Sequence, residues 1–341
     1  MAWWHGGASV SLSVVIPTVQ VGALLERCLQ ALAQQTQLPA EVIVVIAHPE
    51  SPAIEETEWP FSLRVRRCTE PTHYGAAVNL GLDLAAHDGL IILNDDTRPR
   101  PGFLAALQQA WRRHGAALYQ PRIYLLAQPE RLDNVGHGLF FDGFNWARGR
   151  EARDGSSFDV EGTVGAVSGA AFLIPRPVLD VLGGFDTSLE AFGEDVDLSL
   201  RAVRMGIPLR YVPDARIEHA LGSSYGRYSV RKLYLIERNR VRVAVRSLPA
   251  SAVIALPVWT ALRWVAMASV TAAGRGWGVQ VSTAARAAAV AGAVAGAIHL
   301  PDAVRKRRRD AAQWQRGELE MWRHLITERV RLRDLARHHE A

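Results

Sequence analysis

Lysine is almost absent from this chain. Among 39 basic residues only Lys232 and Lys306 are lysines, and each directly follows an arginine. A Gly-Lys-Ser/Thr phosphate loop therefore cannot be built, and any nucleotide must be held by another device. Cysteine is as scarce. Cys28 and Cys68 lie far apart, which argues against a disulfide framework or a zinc site. The start, Met1-Ala2-Trp3-Trp4-His5, lacks a basic region followed by an apolar core. No signal peptide is expected, and a cytoplasmic, reduced protein follows. Uncharged apolar runs of spanning length are missing too. Arg263 interrupts 251–273 and Arg286 interrupts 277–300, and a charge near the middle of a span is costly in a bilayer.

The charge that is present is unevenly placed. Residues 1–250 carry 25 basic and 27 acidic side chains, whereas 251–341 carry 14 and 7, a net of +7. The C-terminal part combines Trp259, Trp264 and Trp277 with arginines, and Arg305-Lys306-Arg307-Arg308-Arg309 begins a charged helical tail. This composition suits an anionic membrane surface, peripheral at the inner face of the plasma membrane. A helical hairpin packed on the rest of the chain is the alternative. No nucleic-acid motif accompanies the basic run, so no nucleic-acid partner is expected. The composition shift divides the chain into 9–248 and a helical, basic region, 249–341.

The first region alternates strand and helix. Residues 11–17, 41–46, 63–67 and 89–93 read as strands, and 23–35 as a helix with Leu24, Leu25, Cys28, Leu29 and Leu32 on one face. The unbroken apolar runs suit buried parallel strands, and strand–helix–strand at this spacing starts a right-handed βαβ unit. A helix opens at Tyr74, another covers 101–113, and 164–174 reads as a strand. A short strand, 210–212, precedes a long helix, 230–246. The glycine-rich, aromatic stretch 133–162 reads as a hairpin and a long loop, with Phe140 and Phe144 packed beneath it and Trp146 toward a ligand cleft.

Two acidic stretches bear on chemistry. The strand at 89–93 ends in Asn94-Asp95-Asp96-Thr97. These residues fit an Asx turn. They also fit a metal site, because open α/β sheets bind ligands at strand ends and hard oxygens suit Mg²⁺ or Mn²⁺. Later, Gly183-Gly184-Phe185-Asp186 leads to Phe192-Gly193-Glu194-Asp195-Val196-Asp197. Val196, Leu200 and Val203 define a helix that Gly206 stops. Acids in a first turn complement the helix dipole. A carboxylate beside an aromatic wall is also how a general base is held partly desolvated.

In this order the motifs resemble family 2 glycosyltransferases of the GT-A fold, and most closely a rhamnosyltransferase-like branch that builds bacterial surface polysaccharides. The resemblance covers about residues 11–249. It rests on Val14-Val15-Ile16-Pro17-Thr18, on Asn94-Asp95-Asp96 as a variant Asp-X-Asp motif, on 167–174 with Ser168-Gly169-Ala170, on the two stretches just named, and on His219. It implies an α/β, mainly parallel sheet flanked by helices, and inverting transfer of a sugar from a nucleotide-diphosphate donor to a glycan or polyprenyl-linked hydroxyl. By the same resemblance Asp195 is the base, and Glu194, Trp146 and Arg238 meet the acceptor. Asp96, Asp95 and His219 hold the divalent metal. Pro17, Thr18, His48, Gly75, Asn79, Asn94, Asp95, Gly169 and Ala170 line the donor, a dTDP- or UDP-sugar. Ser223, Ser224, Tyr225 and Arg227 form a loop that closes over it. Two positions depart from the family: Ala47-His48-Pro49 replaces a base-reading Asp, and Asn94 replaces the first Asp of the motif. A sugar nucleotidyltransferase is one rival, but Thr18-Val19-Gln20-Val21-Gly22 lacks the basic residue it needs. A non-catalytic scaffold is the other.

Overall fold

The computed structural model describes residues 11–54, 58–220, 229–272 and 281–331. The expected closing loop at Ser223–Arg227 and Trp277 lie outside the described residues. The chain begins β1 (Leu12–Thr18), α1 (Ala23–Ala33), β2 (Glu41–Ile46), β3 (Ser62–Arg67), α2 (Tyr74–Leu84), β4 (Gly89–Leu93), β5 (Thr97–Pro99) and α3 (Phe103–His114). It continues through β6 (Leu118–Leu125), β7 (Gln128–Asn134), β8 (His137–Leu139), β9 (Asn145–Ala147), β10 (Gly162–Thr163) and β11 (Ala171–Pro175). Then come α4 (Arg176–Leu182), α5 (Glu194–Arg204), β12 (Leu209–His219) and α6 (Val230–Ser247). The C-terminal part is α7 (Ala250–Ile254), α8 (Leu256–Ala272), α9 (Thr283–Ile298), α10 (Leu300–Ala311) and α11 (Glu318–Thr327).

The strands form one mixed sheet in the order β10-β12-β6-β11-β4-β1-β2-β3, with β5 on β12 and β7 on β6. β4, β1, β2 and β3 run parallel, β6 and β12 run parallel to each other, and β11 is antiparallel between β4 and β6. The C-terminal ends of β1, β4 and β12 therefore share one edge with the N-terminal end of β11. All residues of β1, β2 and β4 are buried, because helices cover both faces. Successive side chains point to opposite faces. Val14, Ile16, Val42 and Val44 join the core with α1 and α3, while Val15, Ile43 and Val45 join the core with α2 and α5.

Two segments differ from expectation. Residues 164–170 are not strand, and β11 begins only at Ala171. The N–H groups of Val167, Ser168 and Gly169 donate to side chains instead: Ser199 Oγ at 3.0 Å, Gln120 Oε1 at 2.6 Å and Asp195 Oδ2 at 2.8 Å. β12 is longer than expected, 11 residues, because Ile217, Glu218 and His219 pair with β5 across the sheet end.

The C-terminal helices pack on the sheet region. A Cβ at Gly292 would lie 2.2 Å from the Tyr234 carbonyl oxygen, and one at Gly296 would lie 2.7 Å from that of Arg238. Those two glycines let α9 lie backbone to backbone against α6. Arg263, which interrupts an apolar run in the sequence, is 1% exposed. It bonds Asp142 and Glu237, each at 2.8 Å. Glu328 reaches back to Thr163 at 2.5 Å and Arg148 at 3.1 Å. Among the described residues no single helix is long and apolar enough to cross a membrane. One bent pair, Thr283–Ile298 with Leu300–Ala311 at 56°, has the length and composition.

Candidate active site

The shared strand edge opens into a cavity of about 1430 Å³. Both acidic stretches line it. Asp95 and Asp96 follow β4, and Glu194 and Asp195 start α5. Pro17, Thr18, Asn94, Gly169, Ala170, Trp146 and His219 also face it.

Asp195 is not a helix cap. Gly193 stands at the N-cap, with φ +89 and no side-chain capping bond. Asp195 Oδ2 instead accepts the Gly169 N–H, and Oδ1 accepts the Val196 N–H, both at 2.8 Å. These bonds fix the carboxylate plane and leave lone pairs open to a further donor. His137 Nε2 lies 4.0 Å from Asp195 Oδ2. Asn134 Oδ1 is held by the Gly136 N–H, so its amide N–H points at His137 Nε2, 3.2 Å away. The Asn145 amide nitrogen stands 3.2 Å from Nδ1, so both ring nitrogens of His137 face asparagine amides. Burial pushes His137 below its ordinary value, against the pull of Asp195 and Asp133.

Glu194 is buried beside Asp195, and its Oε2 has no hydrogen-bond partner among the described residues. Burial, then the Asp195 charge, pushes its carboxyl up to about 8. It is therefore protonated near neutral pH and can donate to a ligand oxygen. Asp197, the third acid, does not face the cavity. It bonds Arg201 at 2.8 Å and Arg246 at 3.0 Å in the core, a structural pairing.

At the strand end, burial and the adjacent Asp96 push Asp95 up to about 6, opposed by a 2.5 Å bond from the Thr18 hydroxyl. Asp96 Oδ1 lies 3.2 Å from His219 Nε2, and His219 Nδ1 lies 2.8 Å from Asp133 Oδ2. Burial alone would lower His219, but the bonds to Asp133 and Asp96 outweigh it and hold the ring up to about 10. Both ring nitrogens of His219 face carboxylates, Nδ1 toward Asp133 and Nε2 toward Asp96, one of the two residues expected at the metal. No cluster of three His, Cys, Asp or Glu side chains able to hold a metal occurs among the described residues. The adjacent carboxylates of Asp95 and Asp96 still suit a hard cation whose other ligands are diphosphate oxygens and water. Mg²⁺ commonly needs only one or two protein carboxylates.

Four residues expected at the ligand lie elsewhere. His48 falls in the turn after β2, where its carbonyl accepts the Ser51 N–H, and Ala47 faces the cavity in its place. Gly75 packs on the Phe185 loop, where an added Cβ would lie 3.3 Å from Phe185 Cβ. Asn79 binds both backbone groups of Phe185, at 2.9 and 3.0 Å. Arg238 bonds Glu190 at 2.6 Å and the Leu189 carbonyl at 2.9 Å. It supports the loop leading to Glu194 and does not reach into the site. Phe140 and Phe144 are buried under the hairpin, as expected, and Trp146 stacks beside Phe144 at 6.4 Å.

Sequence reasoning missed Tyr74, Asp133 and His137. Tyr74 donates to the Gly169 carbonyl at 2.6 Å. Asp133, bonded to Arg150 at 2.5 Å, is the anchor for His219. The only local signal was the polar, glycine-rich run around Gly136-His137-Gly138.

Residues 9–244 match the family model described as glycosyltransferase like family 2, and the chain belongs to that family. N-acetylglucosaminyl-diphospho-decaprenol L-rhamnosyltransferase of Mycobacterium tuberculosis is 30% identical over 243 residues, covering 63% of this chain and 78% of the relative. Pre-mycofactocin glycosyltransferase of the same organism is 28% identical over 200 residues, or 59% of this chain. The chain spans only 41% of that relative's length. In three dimensions it resembles GalNAc-T7, solved with UDP, GalNAc and Mn²⁺, at TM-score 0.56 and 18% identity over 70% of this chain and 48% of that one. It resembles S. aureus TarS 1-349 at TM-score 0.53 and 15% identity, over 94% and 89% of the two chains. The fold is GT-A, a mixed, mainly parallel sheet flanked by helices, with helices following at the C-terminus.

Proposed function

We propose that the protein is an inverting glycosyltransferase. It moves a sugar from a nucleotide-diphosphate donor, a dTDP- or UDP-sugar, to a hydroxyl of a glycan or lipid-linked glycan in surface polysaccharide synthesis. The observation that carries this reading is the meeting of two acidic groups in one cavity, Asp95 and Asp96 at a strand end and Glu194 and Asp195 at a helix start. Family membership and the names of the relatives support it.

The geometry supports the following roles. Thr18, Asn94, Asp95, Gly169 and Ala170 flank the donor. Asp95 and Asp96 would hold a divalent cation, which would supply positive charge to offset that of the leaving diphosphate. Asp195, oriented by the Gly169 and Val196 N–H groups, takes the proton of the acceptor hydroxyl. Neutral Glu194 donates to an acceptor oxygen and sets its orientation. The Asp133–His219–Asp96 chain holds Asp96 in place.

We place the protein peripherally at the cytoplasmic face of the membrane. Ile254, Val258, Leu262 and Val265 form an exposed apolar stripe on α7 and α8. Arg305 and Arg309 are exposed on α10. Exposed apolar side chains together with exposed arginines suit an anionic lipid surface.

The test is a thermal-shift panel of dTDP-, UDP- and GDP-sugars with Mn²⁺, since a ligand that binds only the folded state raises Tm by mass action. The reading expects one donor to stand out and to be hydrolysed slowly without acceptor. No shift with any sugar nucleotide overturns it.

A further inference from the structure

Two sequence motifs clasp each other behind the cavity and converge on one side chain. Tyr74, Gly75 and Asn79 belong to α2, and Gly183-Gly184-Phe185 follows α4. Asn79 binds both backbone groups of Phe185, and a Cβ at Gly184 would lie 2.7 Å from Asn79 Oδ1. Phe185 is buried, and the Tyr74 ring meets it edge-on at 6.2 Å. The clasp thus fixes Tyr74, the first residue of α2, in the cavity wall. Its hydroxyl donates to the Gly169 carbonyl at 2.6 Å. Burial, then the acidic groups around it, holds the phenol well above its ordinary value, so it keeps that proton. Gly169 is the next link. It has no Cβ and therefore the widest backbone freedom. One hydrogen bond holds it on each side of its Cα. Tyr74 takes the carbonyl, and the N–H goes to Asp195 Oδ2 at 2.8 Å. A Cβ at Gly169 would lie 3.4 Å from Asp195 Oδ2 and 3.6 Å from the Tyr74 hydroxyl. Both oxygens close over the same bare carbon.

We propose that Tyr74 is a positioning residue for Asp195. By holding the Gly169 carbonyl it aims the Gly169 N–H at Oδ2 and so fixes the carboxylate that takes the proton. The inference rests on the reading of Asp195 as the base. A base acts only when held in line with its proton, and a misplacement of about 1 Å costs on the order of 100-fold. The α2 turn and the Gly183–Phe185 loop then serve the base at one remove, through the phenol they hold.

The experiment is a double-mutant cycle in the full chain. It is read as hydrolysis, with Mn²⁺ and with water as acceptor, of the sugar nucleotide that stands out in the thermal-shift panel. Tyr74→Phe keeps the ring on Phe185 and removes the hydroxyl. Its kcat should fall by about 10- to 100-fold, with KM unchanged within about two-fold. In the Asp195→Asn background the same change should cost less than about two-fold, because residues that act as a unit are not additive. Equal losses in the two backgrounds would give Tyr74 a role of its own, and wild-type kcat in Tyr74→Phe would give it none. Either result overturns the proposal. A readout without turnover is the Gly169 amide proton, followed by NMR in glycine-labelled protein and assigned by its loss in Gly169→Ala. A short, charge-assisted bond to a carboxylate draws that signal downfield. It should move upfield in Tyr74→Phe and in Asp195→Asn. An unmoved signal in Tyr74→Phe overturns the proposal whatever the kinetics. Absence of sugar-nucleotide turnover in the wild-type protein would sink the glycosyl-transfer reading and leave the Gly169 signal to decide the positioning on its own.

Discussion

Asn239 Nδ2 donates to the carbonyl of Phe192 at 2.7 Å. The same amide reaches the Leu189 and Ala191 carbonyls at 2.8 and 2.9 Å, and Arg238 Nε holds its oxygen at 3.0 Å. The loop so gripped is strained, since Glu190 and Phe192 both have φ +66. Such residues persist only where their surroundings over-determine them. The pair on α6 therefore sets where Glu194 and Asp195 start. Asn239→Ala should cost about 1–3 kcal/mol through unpaired carbonyls. Turnover should fall by up to about 100-fold as the acids shift. Melting temperature and kcat, measured together, check this. Wild-type kcat would mean the loop holds itself.

Glu194 gives a pH signature. Its folded-state value, raised to about 8, means the folded protein keeps a proton that the unfolded chain releases near 4.5. Its contribution to stability is thus fully present below about 4.5 and is lost as pH rises toward 8. Glu194→Gln removes that loss. The variant should match wild type in Tm at pH 5 and exceed it at pH 8.5. A wild-type advantage at pH 8.5 would contradict the assignment.

Metal removal should act through Asp95 and Asp96. EDTA should abolish transfer, and Mg²⁺ or Mn²⁺ should restore it. Asp96→Ala should reduce turnover by at least about 100-fold, as loss of several kcal/mol of charge stabilisation requires. Full activity in EDTA would remove the metal from the account.

Much of this was legible in the sequence. β1, β2 and β4 were readable because buried parallel strands are unbroken apolar runs, and α5 because Val196, Leu200 and Val203 keep its period. Residues 164–170 were not. Val164 and Val167 look like strand residues, and nothing nearby shows that side chains from elsewhere satisfy the backbone. Asn79 reaches Phe185 over 106 positions, and Arg238 reaches Glu190 over 48. Motif position put both on the ligand, and long-range hydrogen bonds put both behind it. Arg263 looked like a bar to membrane insertion. Its buried partners, Asp142 and Glu237, lie in the first 250 residues, so the composition shift near 249 is no seam in the packing.

The membrane proposal follows from the surface. The protein should co-sediment with anionic liposomes, and high salt should weaken this, because screening shortens the reach of exposed arginines. Truncation after Pro249 would strip Arg263 from two buried carboxylates, at a cost of roughly 3–5 kcal/mol. Val258→Glu with Val265→Glu, both at exposed positions, is the cleaner test and should abolish sedimentation with folding intact. Unchanged sedimentation would assign the stripe to another contact.

The most direct test of the central claim is turnover by Asp195→Asn with the sugar nucleotide that stands out in the thermal-shift panel. One of the N–H groups of Gly169 and Val196 would then face an amide N–H, so a small loss of Tm is expected. Donor affinity should stay at the wild-type value. Transfer should fall by roughly 10²–10⁴, the range for loss of a general base. Wild-type turnover in Asp195→Asn would show that the carboxylate only holds the loop at Gly169, and the assignment of the base would be wrong.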